Sequence, residues 1–371
     1  MGSFDKIWIK VKWVITYYFK TKKKLYPLAV LGTRIMIVSL GALPALGWVL
    51  KLTFPEGFLV SNIQFDSQSI SSINNILAVV GFLIGAFLIL IDVKRLGEIS
   101  RSTSKALITG MLGTSARFPI ELLTRPEQLD SRETVELGIP EFTVDSIRTQ
   151  VNMFNSEVAV RIYERFILNQ NCKTLYLGGL ARVPFLVAYG SCFRAVSAEV
   201  IYFDRFHSDG SWKLLDDEEQ NIQLIHDEPD SISPNEKGQI GISISFTQRI
   251  QKEQLPTDLK QSTLEVKSNL TEKRNLITNQ RELERLSSTI QGIVDHYSSS
   301  PNCQEIHFFI SAQSTVSLEI GRRFQEGIHK KWIIHNYDAA KGCYDWAIEV
   351  NKDHIKEYSK TLNLAINHTQ G

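Results

Sequence analysis

The sequence predicts an α/β fold of two Rossmann-like halves with parallel sheets, preceded by a two-helix transmembrane hairpin. Three observations carry this expectation. Two long apolar stretches lie near the N-terminus, at residues 25–50 (LYPLAVLGTRIMIVSLGALPALGWVL) and 67–91 (SQSISSINNILAVVGFLIGAFLILI). A strand, glycine turn, helix and strand follow one another from KTLYLGG (173–179) to EVIYFDR (199–205). The same order of parts returns from EIHFFIS (305–311) to KWIIHNYD (331–338).

A bilayer core is spanned by roughly 20 largely apolar helical residues. The first stretch carries only Arg34 and the second carries no charge. The competing reading is a pair of buried helices in a large soluble core, but such helices rarely run this long without charges. Lys20, Lys22, Lys23 and Lys24 precede the first stretch, and Lys94, Arg95, Arg101 and Lys105 follow the second. The connector, residues 53–72, has Glu56 and Asp66 but neither Lys nor Arg. Cytoplasmic flanks carry the Lys/Arg excess, so both termini are expected in the cytoplasm and the connector outside. Arg34 can snorkel back to the headgroups, and Pro44 can kink the first helix. Gly81 and Gly85 form a small-xxx-small pattern that lets two helices approach closely. Before the hairpin, residues 4–20 are amphipathic, with Phe4, Ile7, Trp8, Val11, Val14, Ile15 and Tyr18 on one side and Lys6, Lys10, Lys12 and Lys20 elsewhere. They suit a helix at a membrane interface or one packed on the soluble part. No small-residue cleavage site follows an apolar core, so a removable signal peptide is not expected.

The domains expected are an amphipathic helix over 1–24, the hairpin over 25–95, a linker over 96–141 and an α/β domain over 142–371. Pro119, Pro126 and Pro140 mark the linker. Charge is balanced, with 41 Lys+Arg against 40 Asp+Glu. A long nucleic-acid duplex would call for a basic face and is not expected as a partner. Cys172, Cys192, Cys303 and Cys343 lie far apart with no CxxC pair, which excludes the usual zinc and redox motifs. They read as buried thiols in a reducing cytoplasm.

Beyond the linker, Ile147, Val151, Phe154, Val158, Ile162 and Phe166 keep helical spacing over 144–168. The strand at 173–179 ends in two glycines. Pro184 suits the first turn of the helix that follows, where its missing N–H is harmless. Residues 206–239 are acidic and read as a surface excursion. A strand at 240–246 and a helix at 272–297 lead to the second unit, whose turn is Ala312, Gln313 and Ser314. Its strand at 331–338 is followed by another at 344–350. Strand–helix–strand units of this kind build parallel sheets. Small ligands bind beyond the C-terminal ends of such strands. A glycine turn meeting a helix N-terminus also presents N–H groups to anionic oxygens.

LGGLARVPFLVAYG, VIYFDR with Trp212, FFISAQSTVSLEIGRRF, and the later NYD and YDWAIEV together resemble the SAVED sensor domain. The resemblance covers roughly residues 140–371. It implies two fused CARF-like halves, modules of the CRISPR-associated Rossmann type, in a bacterial anti-phage system of the CBASS kind. It implies as ligand a cyclic di- or trinucleotide made by a partner nucleotidyltransferase. The two-helix N-terminus looks like the membrane-effector version of the family. That version implies a ligand-induced homo-oligomer that disrupts the inner membrane and kills or arrests the infected cell. One departure is that the second turn, Ser311 to Ser314, has no proline to mirror Pro184.

The residues suggest a chemistry for such a ligand. Phosphates need backbone N–H groups or Arg, which Gly178, Gly179, Arg182, Gln313 and Ser314 offer, with Pro184 and Ala312 in the same two turns. Bases need aromatic faces, for which Tyr202, Phe203, Trp212 and Tyr337 are candidates, beside Asp204 at its strand end. Core packing competes as the reading of Phe203 and Trp212, and a solvated turn competes for Arg182. Arg322 and Arg323 are expected to cover a helix surface or meet another subunit. His307 and His335 fall inside apolar strands and read as hydrogen-bonded core residues. There is no GxSxG, P-loop or HExxH motif, so no catalytic residue, cofactor or metal is expected. The alternatives are a membrane-tethered phosphodiesterase that degrades the cyclic oligonucleotide, which would need a base or metal in the pocket, and a membrane-anchored scaffold.

Overall fold

In a computed structural model of the chain, the residues described are 27–41, 52–53, 62–63, 72–109, 133–138, 147–168, 172–351 and 354–358. The amphipathic helix expected at 4–20 lies outside them. Contacts divide the chain into two units, residues 1–101 with 125–130, and the remainder.

The first unit holds α1 (Pro27–Gly41), the short antiparallel strands β1 (Leu52–Thr53) and β2 (Asn62–Ile63), and most of α2 (Ser72–Ser102). The two helices meet through glycines. A Cβ on Gly85 would strike the Gly32 carbonyl and Met36, and one on Gly81 would strike Ser39. The small-xxx-small pattern does bring helices together, and it does so within one chain. Asp92 fixes the register. Its buried carboxylate accepts hydrogen bonds from the Leu28 and Ala29 N–H groups, at 3.1 and 2.9 Å. These are orphan donors at the positive end of the α1 dipole. The opposite side of α2 is exposed and apolar, with Leu83, Phe87 and Leu90 each more than 60% accessible. Among the described residues no helix is long and apolar enough to cross a membrane. The two expected spans are therefore not found as such: α1 has 15 residues, and α2 carries Asp92, Lys94 and Arg95.

The linker expected over 96–141 is corrected. Strand β3 (Thr103–Thr109) follows α2 directly, and β4 (Glu133–Gly138) pairs with it. Next comes a helical stretch: α3 (Ile147–Met153), a π turn (Phe154–Val158), α4 (Ala159–Ile162) and a second π turn (Tyr163–Ile167). Phe154, Val158, Ile162 and Phe166 are buried at a strict spacing of four. On a pure α-helix that row would drift around the surface; the wider π turns hold it on one face. Then follow β5 (Thr174–Leu180), α5 (Val183–Phe193), β6 (Glu199–Arg205) and β7 (Trp212–Leu214). The first sheet runs β4-β3-β5-β6-β7, parallel except for β7.

The chain continues through β8 (Leu224–His226), β9 (Gln239–Ser245), β10 (Thr263–Ser268), α6 (Gln280–Ser299), β11 (Glu305–Ser311), α7 (Ser314–Arg322), β12 (Lys331–Asp338), β13 (Cys343–Val350) and β14 (Ile355–Tyr358). The second sheet runs β14-β13-β12-β11-β9-β10-β8. Its inner four strands, β12, β11, β9 and β10, are parallel, and the outer three are antiparallel. One hydrophobic core spans both sheets. Helices α5 and α7 lie against each other, and each packs on the sheet of the opposite half: α5 on β12 and β13, α7 on β5 and β6. Glycine makes the crossing possible. A Cβ on Gly190 would fall on the Leu318 carbonyl, and one on Gly321 on the Val187 carbonyl.

Candidate functional site

The C-terminal ends of the parallel strands in the two halves meet along one seam. At the end of β5, Gly178 and Gly179 are buried. A Cβ on Gly178 would strike the Phe203 carbonyl and ring, and one on Gly179 the Ile108 backbone. Both positions need glycine for close strand packing. The strand then leads to Arg182, the exposed residue before α5, with the buried Pro184 in the first helical turn. The Arg182 guanidinium lies over the Trp346 ring from the second half, 5.9 Å from its centroid.

At the end of β6 the expected base platform is corrected. Tyr202 is fully buried, and its hydroxyl donates to Glu319 Oε2 at 2.7 Å. Arg322 donates to the same hydroxyl at 3.3 Å, and Arg323 to Glu319 Oε1 at 2.9 Å. Burial first, then the Glu319 charge, pushes the Tyr202 hydroxyl far above its ordinary pKa. The two arginines, expected on the helix surface, thus bracket a buried carboxylate between the halves. Phe203 is buried with Trp212 against it at 5.6 Å, so the core reading holds for both.

Asp204 is also buried, and therefore not open to a base. It accepts from the Arg205 N–H at 2.8 Å and from Thr315 Oγ1 at 3.2 Å. Burial pushes its carboxyl up to about 7, although hydrogen bonds from Arg205, Thr315 and Gln313 pull the other way.

The second turn is built differently. Ala312 and Ser314 are half-buried, and Gln313 between them is buried. The Gln313 amide accepts from Ile277 N–H at 3.0 Å and donates to Ile277 C=O at 2.8 Å and to Thr315 Oγ1 at 3.0 Å. The Gln313 side chain thus clamps the Ile277 backbone. Tyr337 is exposed, receives a hydrogen bond from Gln254 at 3.1 Å and packs edge-on against Tyr344. His307 Nδ1 and His335 Nε2 are 2.9 Å apart, both buried, as hydrogen-bonded core residues should be.

Sequence reasoning missed the cationic part of this edge. Arg205 and His207 leave β6, and Lys273, Arg274 and Asn275 approach from the segment that Gln313 clamps. Asn275 holds them in place from a left-handed backbone conformation (φ 53°) that Asn tolerates. Its side chain accepts from His207 N–H at 3.1 Å and donates to the Arg205 carbonyl at 3.0 Å. Arg274 Nη1 lies 3.2 Å from His207 Nδ1. Burial, then Arg274 and Arg205, lowers the His207 pKa. Among the described residues no carboxylate forms a salt bridge with Arg205, Lys273 or Arg274, and all three are exposed. An i, i+2 pair on a strand end, far in sequence from a second basic pair, leaves no recognisable motif. The arrangement can hold an anionic ligand with planar groups. Among the described residues no cluster of His, Cys, Asp and Glu could hold a metal ion.

Comparison with known proteins gives a family. A family model described as SAVED, the SMODS-associated and fused to various effectors sensor domain, matches residues 159–350. No curated protein matches the chain. Solved structures of similar fold include the Acinetobacter baumannii Cap4 SAVED/CARF-domain containing receptor with the cyclic trinucleotide 2'3'3'-cAAA. It has a TM-score of 0.46 and 14% identity, covering 75% of this chain and 59% of that one. The same receptor with 3'3'3'-cAAA gives 0.41 and 14%, with coverage of 75% and 59%. The Moraxella osloensis Cap4 receptor gives 0.41 and 15%, with coverage of 77% and 57%. The chain thus spans about three-fifths of the length of these receptors.

Proposed function

Because the chain belongs to the SAVED family of sensor domains, we propose that its second unit is a receptor for a cyclic oligonucleotide, bound where the strand ends of the two halves meet. The observation that carries this reading is the cluster of Arg205, Lys273 and Arg274 beside His207, with Arg182 on the same strand edge. Phosphates take charge-assisted hydrogen bonds from Arg, and bases stack on guanidinium planes as well as on rings. A ring of two or three nucleotides carries as many phosphates and fits an edge served by both halves. A partner nucleotidyltransferase is the proposed source of the ligand. A binding screen over cyclic di- and trinucleotides, read as heat stabilisation, tests the reading. One ring should raise the melting temperature, and Arg274→Ala should weaken its binding by roughly 10- to 100-fold. A screen in which no ring binds defeats the proposal, and ligand recovered cleaved after incubation would turn the reading toward a phosphodiesterase.

The first unit is proposed as the effector, meeting the bacterial inner membrane with both termini in the cytoplasm. The exposed row Leu83, Phe87 and Leu90 supports this, since so large an apolar face on a helix marks a lipid or protein contact. Exposed Lys94 and Arg95 at its end suit headgroups. Because Gly81 and Gly85 are consumed inside the hairpin, ligand-driven clustering would use the Leu83–Phe87–Leu90 side. A periplasmic reporter should be active near Gly57 and inactive after Gly371. Ligand should drive assembly and dye release from liposomes together. Release from protein that stays monomeric would overturn the clustering, and assembly without release would favour a scaffold.

A further inference from the structure

We propose that the outer face of the second sheet carries an oxyanion site, a cavity between β9, β10 and residues 249–260 that takes a phosphoryl group. Side chains alternate along a strand. Ile242, Ile244, Leu264 and Val266 belong to the core, so Ser243, Thr263 and Glu265 face the other way, with Ser243 opposite Glu265 in the ladder. Arg249, Lys252 and Lys260 line the same cavity, whose volume is about 110 Å³. That is several times the roughly 30 Å³ of a water molecule. It suits one tetrahedral oxyanion and is too small for a nucleoside.

Charge selects the ligand. Glu265 is the one carboxylate among the lining residues, and it is already engaged, by Arg249 at 3.1 Å and by Lys267 at 3.6 Å. Among the described residues no carboxylate forms a salt bridge with Lys252 or Lys260, and Lys260 is half-buried. Three cations against one carboxylate leave an excess of two positive charges in the lining. Like charges held together repel, and a phosphate dianion would relieve them. Arg and Lys give charge-assisted hydrogen bonds to such oxygens. The Ser243 hydroxyl meets the Leu264 carbonyl only at 3.4 Å, so it is free to turn toward a closer acceptor.

The wall is built before any ligand arrives. Ile250, Leu255 and Leu259 are buried with Phe309 and Tyr344. Ile250 N–H donates to Ser245 Oγ at 3.1 Å, Gln251 N–H to Gln254 Oε1 at 2.8 Å, and the Thr263 hydroxyl to the Leu259 carbonyl at 2.6 Å. A preorganised wall loses little entropy on binding.

The experiment follows hydrogen exchange along the full chain in detergent micelles, in sodium phosphate against sodium chloride of equal ionic strength. Phosphate should slow exchange at residues 250–255 several-fold and leave β11 unchanged, whereas a general solvent effect would act on both. With Lys252→Ala and Lys260→Ala together the local protection should vanish, while unaltered exchange in β11 reports an intact fold. Arg274→Ala, at the nucleotide site proposed above, should keep the protection. Adenosine monophosphate separates the sources: weaker protection than from phosphate assigns the free ion, and stronger protection assigns a phosphoryl group whose nucleoside stays outside. Protection that survives the double substitution, or is lost in Arg274→Ala, overturns the proposal. So does exchange at residues 250–255 that phosphate leaves unchanged. A screen in which no cyclic nucleotide binds would sink the receptor reading and leave this result standing.

Discussion

The two strand-to-helix turns occupy equivalent places in the two halves and solve the same problem by opposite means. The first, ending β5, removes side chains: Gly178 and Gly179 let the backbone press against Phe203 and Ile108. The next cation, Arg182, then points out over Trp346. The second, ending β11, adds a side chain: Gln313 turns inward and ties down both polar groups of Ile277. One turn thus presents chemistry and the other provides a mount for it, since the clamped segment is the one that carries Arg274. A site served by two similar turns need not use them alike.

The comparison can be broken at Asp204, the first-half carboxyl that sits on the second turn. Its folded pKa of about 7 lies above the unfolded value of roughly 3.9. The native state therefore holds the proton more tightly. The contribution to stability is full below about pH 4 and is lost as pH rises through 7. The loss is on the order of 4 kcal/mol at most. Urea unfolding at pH 4 through 8 should show this slope in the natural chain and lack it in Asp204→Asn. Equal slopes would place the carboxyl outside this linkage.

Next in size is Gly179→Ala, whose Cβ meets backbone that cannot give way. It should cost about 3 kcal/mol in denaturant unfolding. Gln313→Ala leaves a buried N–H and C=O unpaired and should cost about 2 kcal/mol. Unlike the glycine change, it should also loosen the Arg274 segment, seen as faster exchange at residues 273–277. Smallest for stability is Arg182→Ala, within about 0.5 kcal/mol, because an exposed cation–π contact is weak. Its effect should appear in nucleotide binding alone. If it destabilises as much as Gln313→Ala, the first turn too is only a mount.

The fold was legible where apolar strands ended in small-residue turns. Both strand–helix–strand units and the hydrogen-bonded His307 and His335 could be read from pattern. The segment around β3 could not. TSKALIT has only three consecutive apolar residues, and the prolines that follow it suggested a linker, although they lie between strands. The site was half legible. Strand ends located it, and Arg182 stood out beside its helix. Tyr202 looked like a stacking platform because an aromatic near a strand end is equally suited to a ligand or to a buried carboxylate such as Glu319. Arg205 and Arg274 come together only through Asn275, and a pairing of residues about 70 apart leaves no local trace.

The exchange of helices between the sheets has a consequence for the chain as a polymer. Since α5 rests on β12 and β13 while α7 rests on β5 and β6, neither half owns the layer that covers its own strands. Separated, each would expose a sheet face and an orphaned helix. A single protease cut at the exposed residues 216–220 should therefore leave two fragments that migrate as one particle and part only in denaturant. The two halves make one folding unit, to be nicked but not divided.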